Sequence, residues 1–137
     1  MSKSPVKRGK KVAAAPVPSD VAAAVKAADA KKAADLVVLD LRKADGFTDF
    51  FVICTAQNLR QIKAVADAVE EALRVNHQRK PAHVEGYGRA EWVLLDYFDF
   101  VVHVFTPETR TFYGLERLWG SASSVDLQSI LAIAARG

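Results

Sequence analysis

The sequence predicts an α/β domain, a mixed sheet with helices packed on one face. Three observations carry that expectation. Residues 48–55 are almost continuously apolar through Phe50, Phe51, Val52, Ile53 and Cys54, the pattern of a central strand covered on both sides. Residues 58–77 repeat Leu59, Ile62, Val65, Ala66, Val69 and Leu73 on one face of a 3.6-residue period, which is an amphipathic helix. Residues 91–105 form two alternating runs, 91–96 and 99–105, that turn at Tyr97-Phe98 and read as a hairpin.

The remaining elements follow in chain order. Residues 1–18 hold lysines, alanines, Pro5, Pro16 and Pro18 with few large apolar groups, too little to offset the entropy of ordering, so a disordered basic arm is expected. Ser19 offers an N-cap and Asp20 favours the positive end of a helix over roughly 20–33, with Val21, Val25 and Ala28 as its stripe. Residues 35–41 are β-rich and end at a turn over 43–46. Asn58 is placed to cap the long helix with Gln61 reaching back, and Lys63–Asp67 and Glu70–Arg74 are spaced to pair across one turn. Residues 81–87 form a weaker strand, at an edge because Pro81 starts it. Pro107 opens a short helical turn, and a helix over 113–119 stops at Gly120. The order is helix, β, β, helix, β, β, β, helix. It divides the chain into an arm (1–18), a domain (19–120) and a partly helical tail (121–137) that keeps a pattern in Leu127, Ile130, Leu131 and Ala134.

Charge is informative once it is split. The chain carries +3, but Lys3, Lys7, Arg8, Lys10 and Lys11 all precede the first acidic residue, leaving the rest at −2. The arm suits either non-specific contact with nucleic acid or a solubilising role. No apolar run approaches the roughly 20 residues of a membrane span, and no secretory segment follows the basic start. The lone Cys54 has no partner for an internal disulfide. Together these features fit a cytoplasmic protein in a reducing compartment.

Alternation assigns the hairpin's faces. Val93, Leu95, Phe100, Val102 and Val104 make one wholly apolar set, expected against the helices. Trp92, Leu94, Asp96, Asp99, Val101, His103 and Phe105 make the other. Two carboxylates and an imidazole are costly in a dry core, so this set is expected on the partly covered face without helices, with Asp40 and Asp49 as candidates to join it.

Catalysis finds little support there. Asp40, Asp49, Asp96 and Asp99 are candidate magnesium ligands for nucleotidyl transfer. That chemistry needs a second carboxylate two residues along the strand and a glycine-serine phosphate loop. Phe51 stands two residues after Asp49, and no Gly-Ser precedes it. His103 has an acid nearby but no nucleophile placed by a recognisable motif. His77, His83 and His103 lack metal-ligand spacing, and Gly46 and Gly86 are lone turn glycines. Trp92, Tyr113 and Trp119 remain, as core aromatics or as the residue types most enriched among interface hot spots.

At these residues the chain resembles the ribosomal silencing factor family (Iojap-like). The resemblance runs over about 20–120, through Val38-Leu39-Asp40, Thr48-Asp49-Phe50-Phe51-Val52-Ile53, Glu85-Gly86, the run from Trp92 to Tyr97, Val102-His103-Val104-Phe105 and the run from Arg110 to Trp119. Phe98 stands where many members have glycine at the hairpin turn. The resemblance implies a nucleotidyltransferase-like α/β fold without the catalytic acids and phosphate loop, no enzymatic activity and no cofactor. It implies binding to large-subunit ribosomal protein number fourteen at the intersubunit face, which blocks joining of the small subunit and lowers translation, notably when nutrients are scarce. By the same resemblance the partner surface is drawn from Trp92, Asp96, Tyr97, Asp99, His103, Arg110, Tyr113, Leu115, Glu116 and Trp119. A slightly acidic domain suits a basic protein better than bare RNA. An exposed apolar patch also leaves room for a homodimer of the free protein. The rival reading is a magnesium-dependent nucleotidyltransferase.

Overall fold

A computed structural model describes residues 17–44, 48–88, 91–120, 122–128 and 130–131. Most of the expected arm, part of the 43–46 turn and Ala134 lie outside these residues. The elements are α1 (Ser19–Ala30), β1 (Ala34–Asp40), β2 (Phe50–Thr55), α2 (Leu59–His77), β3 (His83–Glu85), β4 (Trp92–Asp96), β5 (Phe100–Phe105), α3 (Pro107–Tyr113), α4 (Leu115–Leu118) and β6 (Ser123–Ser124). The strands form one mixed sheet in the order β3-β4-β5-β2-β1-β6. Only the central β2–β5 pair is parallel, Phe50 facing Phe100 and Thr55 facing Phe105; the other pairs are antiparallel.

Central position explains the residues of β2 and β5. Both strands are buried along their whole length, as their unbroken apolar runs require. The wholly apolar set of the hairpin packs as expected: Val93, Leu95, Phe100, Val102 and Val104 join Val21, Val25, Ile62, Val65, Val69 and Leu73 of α1 and α2 in the main core. Each such large side chain contributes roughly 1.5–3 kcal/mol by leaving water.

Caps and ends differ in detail from the expectation. Asn58 does cap α2, its Oδ1 accepting from the Gln61 N–H at 2.9 Å, but the Gln61 side chain accepts from Gln57 N–H at 2.8 Å, one residue earlier than a capping box requires. Ser19 is the first residue of α1, not its cap; Pro18 holds that position, and the Asp20 carboxylate accepts from the Val21 N–H. The expected Lys63–Asp67 and Glu70–Arg74 pairs give way to other partners. The Tyr87 hydroxyl reaches Asp67 at 2.6 Å and Glu70 at 3.2 Å, while Arg74 meets Glu71 at 3.9 Å. A phenol brought in by the chain after β3 outcompetes a surface ion pair worth a few tenths of a kcal/mol.

The segment after 120, a tail from sequence, contributes to the body. Ser123 and Ser124 pair with Asp40 and Leu39 as the far edge strand, and Val125 and Ile130 are buried in the main core with Leu127 and Leu131 against it. Two serines carry no β pattern, so that strand is legible only in the pairing.

The β4–β5 turn is tight. Asp99 N–H donates to Tyr97 O at 3.0 Å across Phe98, whose φ is +80°. This is a γ-turn with a bulky residue in the left-handed region, a conformation costing of order 1–2 kcal/mol that glycine adopts freely.

Candidate partner-binding site

The second face of the sheet is a thin second core. Leu39, Leu41, Phe51, Ile53, Val101 and Phe105 cluster there, covered by Leu115 and Trp119 from the short C-terminal helices, with Trp92 and Leu94 at the margin. This revises the expectation of a face free of helices: α1 and α2 do share the other face, but α4 lies over part of this one.

Three features place that cover. Thr106 caps α3, accepting from the Thr109 N–H at 3.3 Å, with Pro107 at the first helical position. Gly114, at φ +56°, ends α3 and starts α4 in the left-handed conformation, so the expected single helix over 113–119 is broken there. Arg110 ties the segment to the sheet. Its guanidinium donates to Glu116 at 2.7 and 3.1 Å, to the Thr55 hydroxyl at 2.8 Å and to the Asp35 carbonyl at 2.7 Å. The Arg110 guanidinium beside Glu116 holds that carboxyl below the usual range.

An aromatic stack runs up through this face. The ring of Phe105 lies under Trp92 at 4.9 Å, and Tyr113 lies against Trp92 at 4.6 Å. His103 sits beside them, 4.6 Å from Phe51, which also meets Trp119 edge-on at 5.9 Å. The Trp92 indole N–H donates to His103 Nδ1 at 3.1 Å, which places the imidazole hydrogen on Nε2. Nε2 has no hydrogen-bond partner among the described residues, and burial pushes the His103 pKa down to about 3. The outer layer is exposed: Phe112 (77%), Tyr113 (49%) and Leu118 (72%). Beside it Trp92, Leu94, Thr109 and Tyr113 line a cleft of about 430 Å³ with Glu85, Gly86, Gly88 and Glu91. Gly86 is required here: its φ is +95°, and a Cβ would stand 1.9 Å from the Trp92 carbonyl oxygen.

The residues expected on a partner surface therefore separate. Trp92, Tyr113, Leu115 and Trp119 come together with some exposure. His103, expected on a partly covered face, is 3% exposed, because its ring fills the space between Phe51 and Trp92. Tyr97, expected with this set, is 1% exposed and stacks on Phe100 at 4.9 Å in the main core. Arg110 and Glu116 answer one another's charge, the Arg110 side chain being 12% exposed. Asp96 and Asp99 sit at the far end of the hairpin. Asp96 accepts from the Phe98 N–H at 2.8 Å, and Asp99 receives the Arg79 guanidinium at 2.8 Å.

Of the candidate metal ligands, Asp40 is taken by Arg42, at 2.9 and 2.7 Å. Its ladder neighbours Leu39 and Leu41 occupy the second face, so Asp40 points away from it. Among the described residues no three His, Cys, Asp or Glu side chains gather as a metal site. Cys54 lies buried in β2, and burial pushes its thiol up to about 12, far from a reactive thiolate.

Sequence reading missed Phe112 and Leu118, whose signal was available as large apolar residues on helices too short to bury them. It also missed Arg79, which binds Asp20, Asp99 and the Tyr97 carbonyl. Those partners lie 59, 20 and 18 residues away, beyond any local pattern.

These elements define a mixed α/β domain with helices over its main core and an aromatic cluster on the second face of the sheet. Comparison gives the particular family. The profile described as "Ribosomal silencing factor during starvation" matches residues 14–136, wider at both ends than the motifs quoted from sequence. This chain belongs to the ribosomal silencing factor family. It is similar to the ribosomal silencing factor RsfS of Halalkalibacterium halodurans, 38% identical over 109 residues, 80% of this chain and 92% of that one. A crystal structure of a Chromobacterium violaceum protein superposes with a TM-score of 0.72 at 32% identity, covering 77% of this chain and 88% of that chain. A mouse protein named for mitochondrial assembly of the ribosomal large subunit is 30% identical over 91 residues, 65% of this chain and 40% of its own length. Among the described residues no helix is long and apolar enough to cross a membrane.

Proposed function

We propose that the protein binds the large ribosomal subunit at its intersubunit face, through large-subunit protein fourteen, and prevents subunit joining by occupying that face. The observation that carries this reading is exposed Tyr113 against half-buried Trp92 and its cleft, with exposed Phe112 edge-on to Tyr113. An apolar surface of this kind, rich in the residue types of interface hot spots, suits partner binding. Family membership and the mouse relative's name point the binding toward the ribosome. The action is by occupancy: Asp40 and Asp99 are held by arginines and Cys54 is inert. Purified protein added to separated subunits should lower the yield of joined particles in proportion to its amount, saturating at one copy per large subunit. Full joining at saturating protein overturns this reading.

The basic arm is a second contact in this proposal, directed at ribosomal RNA. Deleting residues 1–18 removes five positive charges, and the fold should persist because α1 keeps all its buried residues. Affinity for large subunits should then fall and depend less steeply on salt, since fewer counterions are released on binding. An unchanged salt slope would leave the arm without such a contact.

A further inference from the structure

We propose that Phe98, at the tip of the β4–β5 hairpin, is a preorganised aromatic anchor for a basic protein surface that offers an apolar recess. This rests on the large-subunit reading above and names a second point of attachment on the same partner face. Phe98 is 81% exposed, the most exposed of the large apolar side chains among the described residues. Its ring belongs to neither core cluster, yet its backbone stands at φ +80°, where a bulky side chain is a genuine outlier. The fold therefore bears the strain of a phenylalanine at a glycine-favouring position and gains no packing from it.

The tip is rigid in spite of that strain. The Phe98 N–H donates to Asp96 Oδ1 at 2.8 Å, and the Thr48 hydroxyl donates to the Phe98 carbonyl at 3.0 Å. The Asp49 N–H donates to the Asp99 carbonyl at 2.9 Å, and the Arg79 guanidinium holds the Tyr97 carbonyl at 2.7 Å and the Asp99 carboxylate at 2.8 Å. A ring presented on so fixed a backbone loses little freedom on binding, which is how an anchor gains affinity. Strain without internal reward, held in place by its surroundings, is the pattern found at contact sites.

Charge selects the occupant. Asp96 lies against the Phe98 backbone and has no cation against it among the ion pairs of the described residues, whereas Arg79 answers Asp99. An unanswered carboxylate beside an apolar knob favours a basic protein surface over nucleic-acid phosphates and anionic bilayers. Trp92 and Asp96 stand four residue steps apart along β4, about 13 Å. A partner reaching from the Tyr113 layer to Phe98 would thus cover the hairpin's length.

The test uses the full chain and purified large ribosomal subunits. Phe98→Gly should raise Tm by roughly 3–6 °C through relief of the turn and weaken subunit binding by about tenfold or more. Phe98→Tyr, which keeps the ring, should bind like wild type. If wild type binds, Tyr113→Ala weakens it and Phe98→Gly does not, this inference falls and the large-subunit reading stands. If wild type itself fails to bind, both fall. A loss seen equally with protein-free ribosomal RNA would make the occupant RNA and overturn the assignment to a basic protein.

Discussion

Replacing Trp92 by alanine should lower folding stability by about 3 kcal/mol, and Tm by roughly 10 °C, as well as weakening large-subunit binding. The indole does three things at once. It stacks on Phe105, it packs against Tyr113, and its N–H supplies the only hydrogen bond the His103 side chain makes among the described residues. Alanine removes the packing and leaves a second imidazole nitrogen buried without a partner, an added cost of order 1–3 kcal/mol if water does not enter. Tyr113→Ala provides the contrast. Its ring is half exposed, so stability should change by less than about 1 kcal/mol while binding falls on the order of thirtyfold, about 2 kcal/mol. Thermal stability and subunit affinity measured on the same samples separate the roles. A Trp92→Ala protein as stable as wild type would mean the stack does not support this face.

Acid should destabilise the protein well before its carboxylates protonate. His103 keeps its neutral form in the fold down to about pH 3, whereas in the unfolded chain it takes up a proton near 6.5. The unfolded state therefore binds more protons throughout that window. The stabilisation is complete above about pH 6.5 and is lost as pH falls, at up to about 1.4 kcal/mol per unit. Asp40 and Glu116 are held below the usual range by Arg42 and Arg110, so their own loss comes only at lower pH, below about 4. Urea midpoints at pH 7.5, 6.0 and 5.0 should fall in wild type and stay level in His103→Leu, which also removes the orphan N–H. Parallel pH profiles for the two proteins would sink the assignment.

How the second face is built decides how much of it the sequence displayed. Alternation assigned Trp92, Leu94, Val101, His103 and Phe105 to one side correctly, because side chains on a strand must alternate whatever the fold; Asp99, expected with them, instead meets Arg79, which also holds Asp20 of α1 on the helix side. Exposure did not follow from polarity. An imidazole became a core residue once a tryptophan N–H met one nitrogen and aromatic rings enclosed the rest. Tyr97 went to the opposite core because it continues the alternation of Val93 and Leu95, and Arg110 became a clamp because its partners lie 6, 55 and 75 residues away.

By itself the chain determined its periodicities: the amphipathic α2 with its Asn58 cap, the unbroken apolar run of a central β2, and the apolar side of the hairpin. Each is a local property, set by side chains within a few residues of one another. Only the tertiary structure decided which polar groups are spent and which remain for a partner. It joined Arg79 to Asp20 and Asp99, and Arg110 to Glu116, and it enclosed His103 among Phe51, Trp92 and Phe105 while leaving Phe112, Leu118 and Phe98 in the open. The physical reason is that charge pairing and burial depend on distances through space, and a sequence orders residues only along the chain.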